Sequence, residues 1–135
     1  MFNFENLDEK DVRNMCPQTL AFVGDGVYSL YIRQKLIIAG NLKGKELHAS
    51  ATNFVKAKGQ SNFIDKLLPI FTEREMEVFK RGRNFKTQSQ AKNASIIDYR
   101  RATGLEAVLG YLYLTGQTDR LNEILNLSIG ERSED

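Results

Sequence analysis

Two carboxylates stand inside apolar stretches whose composition is otherwise typical of buried helices. Asp25 lies at the centre of "LAFVGDGVYSLYI", residues 20–32, and has a glycine on either side. Glu106 lies in "TGLEAVLGYLYL", residues 103–114, with two further glycines close by. An unpaired charge in an apolar interior is very costly, so each carboxylate must be protonated, paired, exposed or bound to a metal ion.

The glycines around the two acids indicate a close contact between helices. Glycine inside a helix costs about 1 kcal/mol relative to alanine, and close approach of two backbones is the usual compensation. We therefore expect the two apolar helices to cross near Asp25 and Glu106 and to bring the carboxylates together. The glycines that support this crossing are Gly24, Gly26, Gly104 and Gly110.

A divalent cation would give such a pair of acids a chemical use. Facing carboxylates repel each other, and an ion held only by oxygen ligands, several of them water, suits magnesium. Such an ion can activate water and neutralise charge on a phosphodiester. The alternative is structural: Asp25 could pair with Arg33, Arg100 or Arg101, and Glu106 could be partly exposed. Spacing alone leaves both interpretations open.

The elements that must position the acids are helices, because no period-2 strand pattern of useful length occurs. We predict an all-α domain of about seven helices over residues 1–135, with a frayed tail at about 130–135. The first long helix should run from Pro17 to about Ile38, and the second should end at Gly116.

The shorter elements are predicted from amphipathic patterns and capping boxes. An amphipathic helix should run from Lys43 to about Ala57 and be closed by Gly59, and the polar stretch at 81–93 should be a loop. Capping boxes and a cap are predicted to open three further helices, at Thr72–Glu75, Ser95–Asp98 and Thr118.

Both carboxylate helices resemble one enzyme family. "LAFVGDGVYSLYIRQKL", residues 20–36, resembles the signature helix of the ribonuclease III catalytic domain, whose core reads like E-x-L-E-F-L-G-D-A-V. "TGLEAVLGYLYL" resembles the later D-x-x-E-A-x-x-G helix of that domain, and both occur in the family's order. The closer resemblance is to Mini-ribonuclease III, the bacterial form with a catalytic domain only, through "RGRN" at 81–84 and "YRR" at 99–101.

The resemblance implies Asp25 and Glu106 as catalytic, metal-binding residues and Mg²⁺ as the cofactor. In the longer enzymes acids also occupy the positions equivalent to Gln18, Ala21 and Thr103. Each of these lies three, four or seven residues before one of the two acids, on the same helical face. The site therefore keeps its geometry with fewer acids, and Gln18 and Thr103 are expected to hold metal-bound water.

The resemblance also implies an activity and partners. These are a homodimer, cleavage of double-stranded RNA with 5′-phosphate and 3′-hydroxyl ends, and maturation of the large-subunit (23S) ribosomal RNA precursor, with a ribosomal protein bound to the substrate as a further partner. A non-catalytic RNA-binding or ribosome-associated protein on the same fold is the alternative that the missing acids suggest. An all-α interaction protein is a third interpretation, but it leaves the acids unexplained.

RNA contacts must come from local basic clusters, because the formal net charge is only +2. Lysine and arginine on a loop suit phosphate contact. The first group on the predicted loop is Arg81, Arg83, Lys86 and Lys92. A second group of candidate RNA contacts could equally well cover solvated helix faces or form internal ion pairs. It consists of Lys43, Lys45, Lys56, Arg100 and Arg101.

Composition restricts the remaining classes of protein. Cys16 is the only cysteine, so no intramolecular disulfide can form, and His48 is the only histidine, which disfavours a metal-free histidine ribonuclease. No apolar run is long enough to span a membrane, and the acidic N-terminus lacks an apolar signal core. A soluble cytoplasmic protein without membrane contact is expected.

Overall fold

The computed structural model describes residues 5–40, 43–47, 57–85 and 96–130. Within these ranges all regular structure is helical, which confirms the all-α prediction. Residues 44–47 form a helical turn, and a 3₁₀ turn occupies Leu68–Ile70. The longer elements are α1 (Glu9–Arg13), α2 (Pro17–Ala39), α3 (Ala57–Leu67), α4 (Glu73–Asn84), α5 (Ile96–Leu114) and α6 (Thr118–Gly130).

Helix α5 lies at the centre of the fold. Its buried residues lie between Ala102 and Leu112, where the sequence is mostly apolar, and helices α2, α3, α4 and α6 all pack against it. Leu105, Val108, Leu109 and Leu112 are fully buried along it. Helix α2 contacts α5 most extensively and α4 contacts it next, so the helix that carries Glu106 is held between these two neighbours.

The crossing of α2 and α5 brings their backbones into contact. A Cβ atom added at Gly24 would lie 1.7 Å from the backbone oxygen of Glu106. One added at Gly110 would lie 2.0 Å from the backbone oxygen of Leu20. No side chain fits at either position, so the close approach inferred from the glycines is confirmed for this pair.

The other two glycines correct that inference in part. Gly104 faces α4 instead of α2, because an added Cβ would lie 2.7 Å from the backbone oxygen of Phe79. Gly82 contacts Gly104 from the α4 side, because a Cβ atom added at Gly82 would lie 2.9 Å from the Gly104 Cα. Gly26 was expected at the crossing, but a Cβ there would meet nothing within 4 Å. Its side of α2 is open.

Helix α4 begins and ends with features that matter for the site. Its capping box is confirmed: the Thr72 hydroxyl accepts a bond from the Glu75 backbone, and the Glu75 carboxylate accepts one from the Thr72 backbone. Glu75 is buried and also pairs with Arg120 of α6 at 2.7 Å. The helix continues to Asn84, so the prediction that residues 81–84 belong to a loop is wrong.

Other predicted boundaries differ as well. Gly59 does not end a helix, because α3 runs through it from Ala57 to Leu67. The continuation of the predicted Lys43–Ala57 helix over residues 48–56 lies outside the described residues, as does Ser95 of the second capping box. Among the described helices, none combines the length and apolar character needed to cross a bilayer.

Candidate active site at the crossing of α2 and α5

Helix α2 places Asp25 at the edge of the crossing. Pro17 occupies the first turn, where its missing N–H costs nothing, and the buried stripe of the helix is Leu20, Gly24, Tyr28 and Ile32. Asp25 lies next to this stripe and is exposed to solvent. Of the alternatives that the sequence left open, exposure applies to Asp25: α2 buries one side only, so its carboxylate stays hydrated.

Helix α5 places Glu106 against Asp25. Its side chain is half-buried, and the two carboxyl groups are in hydrogen-bonding contact. Burial, then the hydrogen bond to Asp25, then the charge of Asp25 raise the pKa of Glu106 to about 8. The carboxylates thus meet as predicted, and Glu106 holds a proton at neutral pH when no cation shares the site.

The structural alternative for Asp25 is not observed. Among the described residues, no arginine forms an ion pair with Asp25. Arg101 instead bonds with Asp65 and Ser61 of α3, so it is one of the internal pairs that the sequence left open. Nothing cationic from the described chain compensates the two carboxylates, which makes their environment suitable for a divalent ion.

The donor set fits a hard cation that retains water. Within the described residues there is no cluster of three or more His, Cys, Asp or Glu side chains that could hold a metal. Asp25 and Glu106 would therefore hold the ion with the help of water and substrate oxygens, an arrangement typical of magnesium. Such an ion would lower the pKa of Glu106, and its binding would release a proton.

Gln18 and Thr103 lie on the two helices that carry the acids. Gln18 is exposed in the first turn of α2, and Thr103 is half-buried on α5. The Thr103 hydroxyl donates to the backbone oxygen of Tyr99 at 3.0 Å. Because its proton is used, the oxygen can only accept further bonds, as a bound water would require. Ala21 is buried and supplies no ligand.

Protonation of Glu106 makes the stability of the metal-free protein depend on pH. Because its folded pKa of about 8 exceeds its ordinary value of 4.5, this contribution is present below pH 4.5 and is lost as pH rises through 8. We expect Glu106→Gln to be more stable than wild type at pH 8 by up to roughly 4 kcal/mol, since the pKa is raised from 4.5 to about 8 and one pKa unit corresponds to about 1.4 kcal/mol. The two should be equal near pH 5.

Thermal unfolding in EDTA at pH 5 and pH 8 measures this difference. Adding Mg²⁺ at pH 8 should raise the melting temperature of wild type and leave Glu106→Gln nearly unchanged. A variant less stable than wild type at pH 8 in EDTA would contradict the protonated pair.

The predicted RNA-binding residues are distributed over several surfaces. Lys43, Lys45 and Arg100 are exposed. Arg81 and Arg83 lie on the last turn of α4: Arg83 stands over the Phe79 ring, 5.9 Å from its centre. Arg81 bonds with backbone oxygens of the α1–α2 connection. Lys56, Lys86 and Lys92 lie outside the described residues.

Two features of the site region were missed by sequence reasoning. Phe22 is 82% exposed beside Asp25, although its neighbours are apolar. The spacing of Phe22, Gly26 and Arg33 along one helical face was the available signal, because the glycine there compensates no contact with the described part of the chain. The bond from Arg81 to the α1–α2 connection had no sequence signal, because it joins residues far apart in the chain.

Comparisons with known proteins agree with this site. The family model described as the ribonuclease III domain matches residues 18–117, a range that contains both acids. Mini-ribonuclease 3 of Brevibacillus brevis is 50% identical over 109 residues, 81% of this chain and 81% of that protein. Mini-ribonuclease 3 of Clostridium tetani is 46% identical over 93% of this chain and 83% of its own length.

A solved structure shares the fold. A crystal structure of a protein from Fusobacterium nucleatum matches with a TM-score of 0.79 and 30% identity, over 90% of this chain and 98% of that one. The helical fold and the acid pair thus define an endoribonuclease of the ribonuclease III type. The chain belongs to the ribonuclease III family, and within it to the Mini-ribonuclease 3 proteins.

Proposed function

We propose that this endoribonuclease hydrolyses double-stranded RNA with Mg²⁺ held by Asp25 and Glu106. The observation that carries the proposal is the contact between these two carboxyl groups at a helix crossing that excludes any intervening side chain. Two acids without an arginine partner suit a divalent cation, and phosphodiester hydrolysis is a reaction that such a cation assists. The expected products carry 5′-phosphate and 3′-hydroxyl ends.

Each residue of the site has a distinct part in this mechanism. When bound, Mg²⁺ would activate water and neutralise negative charge on the phosphodiester. Glu106 would hold the ion as a carboxylate, and its half-buried position orients that group. Asp25, on the exposed edge of α2, lies where an RNA phosphate can approach. Thr103 accepts a bond from bound water, and the Gln18 amide can both donate and accept.

Duplex RNA would be held by its backbone. A-form RNA is recognised through phosphates, 2′-hydroxyls and shape across its minor groove, and exposed cations suit this task. The exposed side chains of Lys43, Lys45 and Arg100 and the half-buried Arg83 are candidates. Lys56, Lys86 and Lys92 remain predicted contacts. Binding should therefore weaken steeply with salt.

The exposed face of α2 supports a homodimer. Phe22 is 82% exposed and Ile37 66%, and Gly26 between them leaves open space. An exposed apolar surface of this kind is typical of an interaction site. A two-fold axis at this face would place Asp25 of each copy beside the interface and give one site to each strand of a duplex.

Phe22→Asp should dissociate such a dimer. A carboxylate buried in an apolar interface without a partner is unfavourable by several kcal/mol. The dissociation constant of the dimer should therefore rise at least about 100-fold. Sedimentation equilibrium measures the change, and circular dichroism checks that the helices persist. Leu127→Asp is a matched control, because Leu127 is also partly exposed but lies on α6. Unchanged association of Phe22→Asp would remove this face as the interface.

The natural substrate belongs to the same proposal. The resemblance to Mini-ribonuclease III implies maturation of the 23S ribosomal RNA precursor, a cytoplasmic reaction, and a ribosomal protein on the precursor could present the duplex. The test is to compare how fast the purified protein cleaves naked precursor and precursor bound by ribosomal proteins. The comparison shows whether a ribosomal protein is required.

Cleavage of a long duplex RNA tests the proposed activity. Wild type should cut the duplex with Mg²⁺, should not cut it in EDTA, and should leave a single-stranded RNA of the same sequence intact. Ligation and phosphatase treatment identify the product ends. The alternative is a non-catalytic RNA-binding protein on this fold. It would be supported by tight duplex binding without cutting of either naked duplex or precursor.

A further inference from the structure

The last turn of α4 contacts the helix that carries Glu106 and the connection that leads into the helix that carries Asp25. On one side, a Cβ atom added at Gly82 would lie 3.1 Å from the backbone oxygen of Thr103 and 2.9 Å from Gly104 Cα. The turn is therefore packed directly against the segment of α5 that precedes Glu106. On the other side, the neighbouring residue, Arg81, reaches the connection between α1 and α2.

Arg81 makes two hydrogen bonds to this connection. One guanidinium nitrogen donates to the backbone oxygen of Arg13, the last residue of α1, and the other donates to that of Met15 at 3.0 Å. The Arg13 carbonyl, at the end of α1, has no donor within the helix, and Met15 lies in the connection beyond it; the guanidinium fork supplies a donor to each carbonyl. Met15 is followed by Cys16 and Pro17, where α2 starts.

From these contacts we infer that Arg81 is a positioning residue for the reaction and that it does not contact a phosphate of the RNA. It fixes the start of α2, and with it Gln18, relative to the α4 turn, while the adjacent Gly82 fixes the same turn relative to Thr103. Residues 81–82 thus set the distance between the two residues proposed to hold bound water. The inference rests on the proposed function and deepens it.

Arg83 provides the contrast within the same turn. Its guanidinium stands over Phe79 of its own helix and donates to the adjacent Asn84, and among the described residues it bonds with no other helix. Arg83 can therefore turn to a phosphate without releasing the fold, whereas Arg81 cannot bind a phosphate through the same two donors without releasing the carbonyls. The two arginines should respond differently to substitution.

Kinetics and metal-free RNA binding of three variants separate the two roles. Arg81→Ala should lower kcat roughly 10- to 100-fold, the effect of a displacement of about 1 Å, with KM nearly unchanged. Its RNA affinity in EDTA should keep the wild-type dependence on salt. Arg83→Ala should instead raise KM and reduce the slope of log K against log salt by about 1, the value for one lost phosphate contact.

Arg81→Lys decides between positioning and charge. Lysine keeps the positive charge but has no planar fork for two carbonyls, so a positioning role predicts a kcat nearly as low as that of Arg81→Ala. All rates are measured at a temperature where circular dichroism shows each variant folded. If Arg81→Ala does not fold, Arg81→Lys provides the same comparison.

The inference is overturned if Arg81→Lys has wild-type kcat, or if Arg81→Ala loses about one unit of salt slope, as a phosphate contact would. Failure of the proposed function looks different, because wild type itself would then cut no duplex. The salt slope in EDTA tests Arg81 even in that case.

Discussion

Asp25→Asn is expected to abolish Mg²⁺-dependent cleavage of duplex RNA while leaving duplex binding intact. The variant keeps the shape of the side chain but removes the charge that faces Glu106 and the ion. Metal-ion catalysis contributes several kcal/mol, and a loss of about 4 kcal/mol corresponds to roughly a 10³-fold lower kcat. Glu106→Gln should have an effect of similar size, because both carboxylates act on the same ion.

Single-turnover cleavage at saturating enzyme measures the loss, and filter binding in EDTA measures the RNA affinity. Asp119→Asn is the matched control, because Asp119 is exposed on α6 in the described structure and should cut like wild type. Full activity of Asp25→Asn would make Asp25 a structural acid and would remove the proposed metal site. Weakened binding together with weakened cutting would instead point to the RNA surface.

Gly110→Ala is expected to be strongly destabilising. Its methyl group would lie 2.0 Å from the backbone oxygen of Leu20, so α2 and α5 must separate or shift. Overpacking usually costs about 1–3 kcal/mol, and we expect roughly 4 kcal/mol because the obstacle is backbone instead of a movable side chain. Gly24→Ala meets the Glu106 oxygen in the same way.

Urea unfolding of the metal-free protein measures the free energy of unfolding. Gly26→Ala, two residues from Gly24, is the control: its methyl group would meet no described residue within 4 Å, and alanine is favoured over glycine in a helix by up to about 1 kcal/mol. It should therefore unfold at the same or a higher urea concentration. A Gly110→Ala protein as stable as wild type would show that the two helices can separate at little cost.

The two glycine variants also connect stability to function. A shift of α2 relative to α5 moves Asp25 relative to Glu106, since each lies within one helical turn of the crossing. The Gly24→Ala protein should therefore have low cleavage activity even at a low temperature at which it is folded.

The local sequence determined the helices and the identity of the two acids. Apolar periodicity, Pro17, Gly116 and the Thr72–Glu75 capping box are signals within a few residues of each other, and the structure confirms the elements they predict. The acids were found because a carboxylate in an apolar stretch is costly whatever the fold is. Boundaries without a cap, such as the end of α4, were placed less well.

Only the tertiary structure decided which neighbouring helix each of these residues contacts. Glycine spacing implied a crossing but could not assign Gly104 to α4, or leave Gly26 open, because the same pattern permits several partner helices. The exposure of Asp25, the raised pKa of Glu106 and the hydrogen bonds of Arg81 all depend on residues that are far apart in the chain. Burial and charge at a site depend on which residues are close in space. The distances between residues far apart in the chain cannot be read from the sequence.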